Sequence, residues 1–161
     1  MNVYEVIPRV SPEAIVVYCC DPRFQTAFGP FVESELGLKK GQYVPLVVAG
    51  GAGVLANPDR LPNEFEFLKN RFELFHEHFA SIRRLVLINH EDCVYYKTLA
   101  GKIPALEEYA AEPCHWPRED LTRIAQTFDR LLSHLGWGVE LYYAGFTNGD
   151  RSQVAFDRIR V

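Results

Sequence analysis

The chain has 161 residues, 48% of them hydrophobic, 13% aromatic and 24% charged, with a net charge of −4. That length fits one domain of ordinary size, residues 1–161, with enough apolar side chain to build a core. The acidic balance and the lack of a long basic run argue against nucleic acid or an anionic membrane as the main partner.

The N-terminal segment has no basic region followed by an apolar stretch, so a signal peptide is not expected. The longest apolar stretch, Val44 to Ala56, is interrupted by Pro45, Gly50, Gly51 and Gly53, and is too short to span a bilayer. A soluble, cytoplasmic protein is expected. Cysteines stand at positions 19, 20, 93 and 114. Adjacent cysteines suit a disulfide framework poorly, and a chain of this length folds without such staples. In a reducing compartment, cysteines near a histidine are metal ligands or catalytic groups more often than bridges.

In chain order, Glu13 to Cys20 is a β-branched apolar run that reads as a buried strand, ended by Asp21-Pro22. Phe24 to Leu36 is a predicted helix, weakened by Gly29-Pro30, and Gly37 and Gly41 bracket a turn. Gln42 to Val48 is a second strand, followed by the small-residue run Ala49 to Gly53. Asn63 to Phe79 has the strongest helical pattern, with Phe65, Leu68, Phe72, Phe75 and Phe79 on one face and Asn63 as its N-cap. Arg84 to Asn89 is a third buried strand. Pro117 to Leu135 is a second amphipathic helix, with Leu121, Ile124, Phe128, Leu131 and Leu135 facing inward and Gly136 at its end. Val139 to Ala144 is a fourth strand. After a turn at Asn148-Gly149, Gln153 to Ile159 is a fifth, antiparallel to the fourth. The pattern is a single α/β domain: a mostly parallel central sheet flanked by helices, with a C-terminal antiparallel edge strand.

Two motifs follow strands: Cys19-Cys20-Asp21-Pro22-Arg23 and His90-Glu91-Asp92-Cys93. Parallel sheets place their sites at the C-terminal ends of strands, so these motifs can meet on one edge. Two thiolates and an imidazole from Cys19, Cys93 and His90 form a three-ligand set that zinc favours, with a fourth position open. Side chains alternate along an extended segment, so Asp21 and Arg23 share a side with Cys19, and Cys20 points away into packing. An arginine fork holds a carboxylate by two hydrogen bonds and keeps it ionised. Asp21 can then accept a hydrogen bond from a zinc-bound hydroxide.

Cys-x-Asp-x-Arg followed by His-x-x-Cys resembles the β-class carbonic anhydrases, as does Ala49-Gly50 after a strand. The order of elements agrees from Glu13 to Lys97, and the last strands fit more loosely. The resemblance implies one Zn2+ per chain on Cys19, His90 and Cys93, with Asp21 and Arg23 as the catalytic dyad. It implies a lyase that hydrates carbon dioxide to bicarbonate through a zinc-bound hydroxide. It also implies a site near a subunit boundary, hence a homodimer or higher oligomer. The 21 residues Phe, Tyr and Trp (11, 8 and 2), many for one small core, point the same way.

The sequence departs from that family's pattern where Asn89 replaces a glycine, Val94-Tyr95 replaces Gly-Ala, Val47-Val48 replaces Arg-Asn and Gly51 replaces an asparagine. An N-terminal segment containing Pro8 and Pro12 reads as an extended arm rather than the family's helix. These changes leave the ligands intact and bear on the substrate pocket, so carbonyl sulfide or carbon disulfide is an alternative substrate. A non-catalytic zinc protein, structural or sensory, would share the ligands.

Blander readings exist for each feature. Cys19 and Cys93 can pack as small hydrophobes. Asp21-Pro22 can be a plain turn with Arg23 solvated. His76 and His78, two apart on a helix, are expected on the surface, and Cys114-His115 in a loop. Ala49 to Gly53 lacks the Lys-Ser/Thr of a P-loop and the spacing of a dinucleotide fingerprint.

Overall fold

The computed structural model describes residues 2–102 and 116–161, with only the backbone described at 100–102. Cys114 and His115 lie outside the described residues. Among the described residues, five strands form one sheet in the order β2-β1-β3-β4-β5. They are β1 (Ala14–Cys19), β2 (Tyr43–Val48), β3 (Arg84–His90), β4 (Gly138–Phe146) and β5 (Val154–Ile159). β1 pairs in parallel with β2 and β3, β3 in parallel with β4, and β4 antiparallel with β5. The predicted α/β architecture, including the antiparallel C-terminal edge, is the observed one.

β1 and the middle of β3, Leu85 to Ile88, are apolar without alternation because both faces are covered. Ile15, Val17, Leu85 and Leu87 face one layer, which contains α2 (Pro62–His78), an α-helix over Trp116–Leu131 and the 3-10 turn Gly51–Leu55. Ala14, Val16, Val86 and Ile88 face the other, built on α1 (Gln25–Pro30). The helix over Val94–Lys102 is α3, and Trp116–Leu131 is α4.

Several local expectations are corrected. The helix predicted from Phe24 to Leu36 is α1 followed by a wider π-type turn over Phe31–Glu35, and Pro30 stands at the change. α2 starts at Pro62, so Asn63 lies within its first turn and Leu61 takes the cap position. Proline suits the first helical position because the missing N–H has no intrahelical partner there. Phe65, Leu68 and Phe72 of α2 are buried as predicted. In α4 the buried phase runs Leu121, Ile124, Phe128, Leu132, while Leu131 is 39% exposed. The helix ends at Leu131, and a 3-10 turn over Ser133–Leu135 rotates Leu135 inward. β4 is longer than predicted at both ends, and α3 was not predicted. His76 and His78 are exposed, as expected. No helix among the described residues is long and apolar enough to cross a membrane.

The small-residue run explains how the two motifs approach. Gly51 has φ +57, and a Cβ there would stand 2.7 Å from the carbonyl oxygen of Ile88 and 3.1 Å from the amide nitrogen of Cys19. It wedges between the ends of β1 and β3 where a side chain does not fit. Gly51→Ala is therefore expected to destabilise the protein by about 2 kcal/mol or more, from left-handed backbone strain plus the backbone clash. Urea unfolding of the variant against wild type measures it.

Candidate metal centre

β1 ends at Cys19 and β3 ends at His90, and the two strands are neighbours in the sheet. Cys93 follows His90 after a tight turn in which Asp92 adopts φ 58. Aspartate tolerates this left-handed conformation better than most residues. The sulfurs of Cys19 and Cys93 lie 3.8 Å apart. Cys19, His90 and Cys93 are all buried, with one ligand atom of each lying within 4.8 Å of the others.

The histidine is prepared as a ligand. Its Nδ1–H donates to the carbonyl oxygen of Glu91 at 2.8 Å. That bond leaves the lone pair on Nε2, the tautomer a metal requires. Nε2 is buried and has no hydrogen-bond partner among the described residues. The Phe24 ring, fully buried, packs on the imidazole with centroids 4.1 Å apart. Two sulfurs held tetrahedrally by one zinc at about 2.3 Å each stand about 3.8 Å apart, which is the separation found here. Cys19 is pushed well below the ordinary thiol range, foremost by the hydrogen bond from Cys93 and further by His90. Cys93 is pushed up by the same contact and by burial. Two buried cysteine sulfurs and an imidazole nitrogen without a hydrogen-bond partner among the described residues converge, and the donor set fits a cation such as Zn2+.

Beside this cluster, Asp21 and Arg23 form a two-pronged pair. Arg23 Nε donates to Asp21 Oδ1 at 3.0 Å and Nη2 to Oδ2 at 2.7 Å, while the Arg23 amide donates to Oδ1 at 3.0 Å. The guanidinium foremost holds the Asp21 carboxyl below the usual range. Gln25 Nε2 donates to the carbonyl oxygens of Cys19 and Asp21, both at 2.9 Å, and so fixes the backbone between them.

The far side of the same guanidinium engages a residue that the sequence reading missed. Arg23 Nη1 donates to Asp92 Oδ2 at 2.9 Å and Nη2 to the Asp92 carbonyl oxygen at 2.8 Å. Asp92 also accepts from Lys97 and, at 2.9 Å, from Arg151 Nη1. Its carboxyl is pushed down to about 2, foremost by Lys97 and also by Arg23. Both carboxylates have folded values below their unfolded ones, so each contributes stability above about pH 4 that disappears as pH falls through the folded value. Stability is expected to fall between about pH 4 and pH 2, with a shallower fall in Asp92→Asn. Denaturant midpoints across that range test this, and identical slopes in the two proteins would refute it.

A cavity of about 520 Å³ opens at this point, lined in part by Cys19, Asp21, Arg23, Gly50, Cys93 and Tyr95. Cys20, expected in packing, is exposed on its rim. The strand ends at Cys19, no layer covers the next residue, and the alternation that would bury it stops. Tyr95 lies against Gly50, where a Cβ would stand 2.2 Å from its ring. Its hydroxyl is buried without a partner among the described residues, and burial pushes its pKa up. Asn89 is 1% exposed and donates through Nδ2 to Pro117 O at 2.8 Å and to the Tyr96 hydroxyl at 3.3 Å, tying β3 to α4 and α3.

No family profile matches the sequence, and no curated protein matches it. Solved structures do. The chain is similar to β-carbonic anhydrase isoform I of the protozoan Trichomonas vaginalis, with 13% identity, a TM-score of 0.55, and coverage of 98% of this chain and 87% of that one. It is similar to the β-carbonic anhydrase CafA of the fungal pathogen Aspergillus fumigatus, with 15% identity, a TM-score of 0.51, and coverage of 93% and 76%. What is shared at such identities is the fold: the chain has a divergent β-carbonic-anhydrase-like fold.

Proposed function

We propose that this protein is a zinc-dependent lyase that hydrates carbon dioxide to bicarbonate, or acts on a related small electrophile such as carbonyl sulfide or carbon disulfide. The observation that carries the reading is the buried, unpartnered Nε2 of His90 beside two sulfurs 3.8 Å apart, with an arginine-bound carboxylate on the same cavity. Cys19, His90 and Cys93 would hold one ion per chain. When bound, zinc lowers the pKa of a water ligand to about 7 and supplies a nucleophile near neutral pH.

The chain's own residues do the rest. His90 is held in one tautomer by the Glu91 carbonyl and in one orientation by Phe24. Arg23 keeps Asp21 ionised, so its carboxylate is a hydrogen-bond acceptor and not a donor. An acceptor fixed in this way would accept a hydrogen bond from the attacking water and so orient a lone pair toward the carbon. Tyr95 and Gly50 wall the cavity.

The rival is a zinc protein without turnover, structural or sensory. The observation in its favour is the Tyr95 ring, pressed against Gly50 on the cavity wall. Stopped-flow measurement of carbon dioxide hydration on zinc-loaded protein separates the two. A rate above the uncatalysed reaction is expected. Full zinc with no hydration of carbon dioxide, carbonyl sulfide or carbon disulfide would leave the rival standing.

Self-association and location belong to the same reading. Val47, Phe67 and Val94 are 44%, 48% and 60% exposed, and the arm carries exposed Val3, Tyr4, Val6 and Ile7. Apolar surface of this kind favours a homodimer or higher assembly. Light scattering at micromolar concentration is expected to give at least twice the chain mass, and a monomer mass would rule this out. Free thiols at Cys19 and Cys93 suit a reducing compartment, consistent with the cytoplasm.

A further inference from the structure

Asp92 and Arg151 are the non-glycine residues with left-handed backbone among those described, both at φ 58. They are bonded to each other, Arg151 Nη1 to Asp92 Oδ2 at 2.9 Å. Arginine rarely adopts this conformation, and a residue held in it reflects a structure that over-determines it. The surroundings of Arg151 do so. Its amide donates to the Asn148 carbonyl at 3.2 Å. Asn148 Oδ1 accepts from the amides of Ser152 and Gln153, and Asp150 Oδ1 from that of Ser152. The tip of the β4–β5 hairpin is thus braced internally, and it presents one guanidinium to the turn between His90 and Cys93.

The neighbouring residue of that turn reaches the same hairpin. Glu91 Oε2 accepts from the Phe146 amide at 2.9 Å, and the Glu91 amide donates to Ala144 O at 2.9 Å. Arg151 also stacks over Phe146, 5.6 Å from the ring centre. The turn is therefore held from outside by β4 and the hairpin tip, and from inside by Arg23. Arg23 uses one edge for Asp21 and the other for Asp92, so its orientation depends on both aspartates.

We propose that Arg151 is a positioning residue: through Asp92 it fixes the Arg23 guanidinium, and through Arg23 it fixes Asp21 beside the cysteine–histidine cluster. The ion-pair relay runs Arg151, Asp92, Arg23, Asp21, with Lys97 as a second clamp on Asp92. Arg151 itself need touch neither substrate nor metal. The inference rests on the proposed reaction only for what Asp21 is held to do, and the relay can be measured without turnover.

Arg151→Gly is the informative variant, because glycine adopts φ 58 freely and leaves the hairpin backbone unstrained. A merely structural role for Arg151 predicts unchanged properties at Arg23. The relay predicts an unchanged or higher Tm together with a looser Arg23. The measurement is hydrogen exchange at the Arg23 side-chain Nε–H in protein labelled with 15N-arginine, the resonance being assigned by its loss in Arg23→Lys. Exchange is expected to quicken about tenfold or more in Arg151→Gly, as for loss of a charge-assisted bond. Asp92→Asn, which removes the charge but keeps the shape, should do the same, and Arg151→Lys should restore much of the protection.

Unchanged Arg23 exchange in Arg151→Gly overturns the proposal, whatever Asp92→Asn does, since Asp92 bonds Arg23 directly. So does quickening that extends equally to the amides of β4 and β5, since that marks general loosening. In zinc-loaded protein the relay further predicts a lower kcat with little change in KM for Arg151→Gly. Wild type that fails to turn over while its Arg23 exchange still responds to these variants refutes the proposed reaction and leaves the relay intact.

Discussion

Cys93→Ser is expected to lose most of its zinc and, with it, essentially all turnover. The cysteine supplies one of three donor atoms in a buried group. A serine hydroxyl is a poor replacement for a thiolate at a zinc site, because it remains protonated near neutral pH and is a harder donor. Loss of a residue that merely orients a ligand costs about 10- to 100-fold in metal affinity, so loss of a ligand itself should exceed about 100-fold. Cys19→Ser should behave alike, since its sulfur stands at the same 3.8 Å contact. Cys20→Ser is the control: that side chain is exposed, and its removal should leave the metal in place. Elemental analysis of protein purified without chelator should find one zinc per wild-type chain and far less in either ligand variant. Full zinc in both Cys19→Ser and Cys93→Ser would end the ligand assignment.

Arg23→Ala is expected to keep zinc and lose turnover. The three proposed ligands remain, and Asp92 retains Lys97 and Arg151 as partners, so the turn between His90 and Cys93 should persist. Asp21 loses both prongs of its partner and becomes free to approach a neighbouring cation, where it would compete for the open coordination position. Asp21→Ala should also keep zinc, yet remove the acceptor that orients the attacking water. Loss of such a positioned group typically costs about 10²- to 10⁴-fold in rate. The double variant should cost little more than the worse single one, because groups acting as a unit are not additive. Hydration rates and zinc contents of the two singles and the double provide the measurement. An active wild type with either single variant at full rate would remove the dyad from the mechanism.

Much of the frame was legible because buried parallel strands leave a strong local trace. Ala14 to Cys19 and Leu85 to Ile88 are apolar without alternation, and that pattern has few other interpretations. The three cysteine and histidine positions were legible for a related reason: each motif follows directly on a strand end, and neighbouring strands bring their ends together. Local sequence said less where its period is weak. The nine residues of α3, Val94–Lys102, bury Tyr96 yet expose Val94, Lys97 and Thr98, so no clear apolar face announces the helix. Near the end of α4 the helix was carried on to Leu135 and the inward leucine was misread by one position, because Leu131 and Leu132 are adjacent leucines and the change to a 3-10 turn moves the buried phase. Cys20 was misplaced because strand alternation was carried one residue past the end of the strand.

The charged network was the least legible part. Asp92 stands between two proposed ligands and could have been singled out for that position alone. Nothing local points from it to Arg151, which lies 59 residues later and meets it only because β4 runs beside β3 and carries the β4–β5 hairpin tip to the end of β3. Asn89 is a similar case. Asn89 before His90 stands out in the sequence as a departure from the pattern it resembles, but the use of its side chain does not: it joins β3 to the start of α4, 28 residues on.

X-ray absorption at the zinc edge of the loaded wild-type protein tests the central claim most directly, namely that Cys19, His90 and Cys93 make a three-ligand zinc centre with one position left for a light atom. The account predicts two sulfurs at about 2.3 Å, one histidine nitrogen at about 2.0–2.1 Å and one further oxygen or nitrogen. A first shell with three or four sulfurs, or with none, would contradict it.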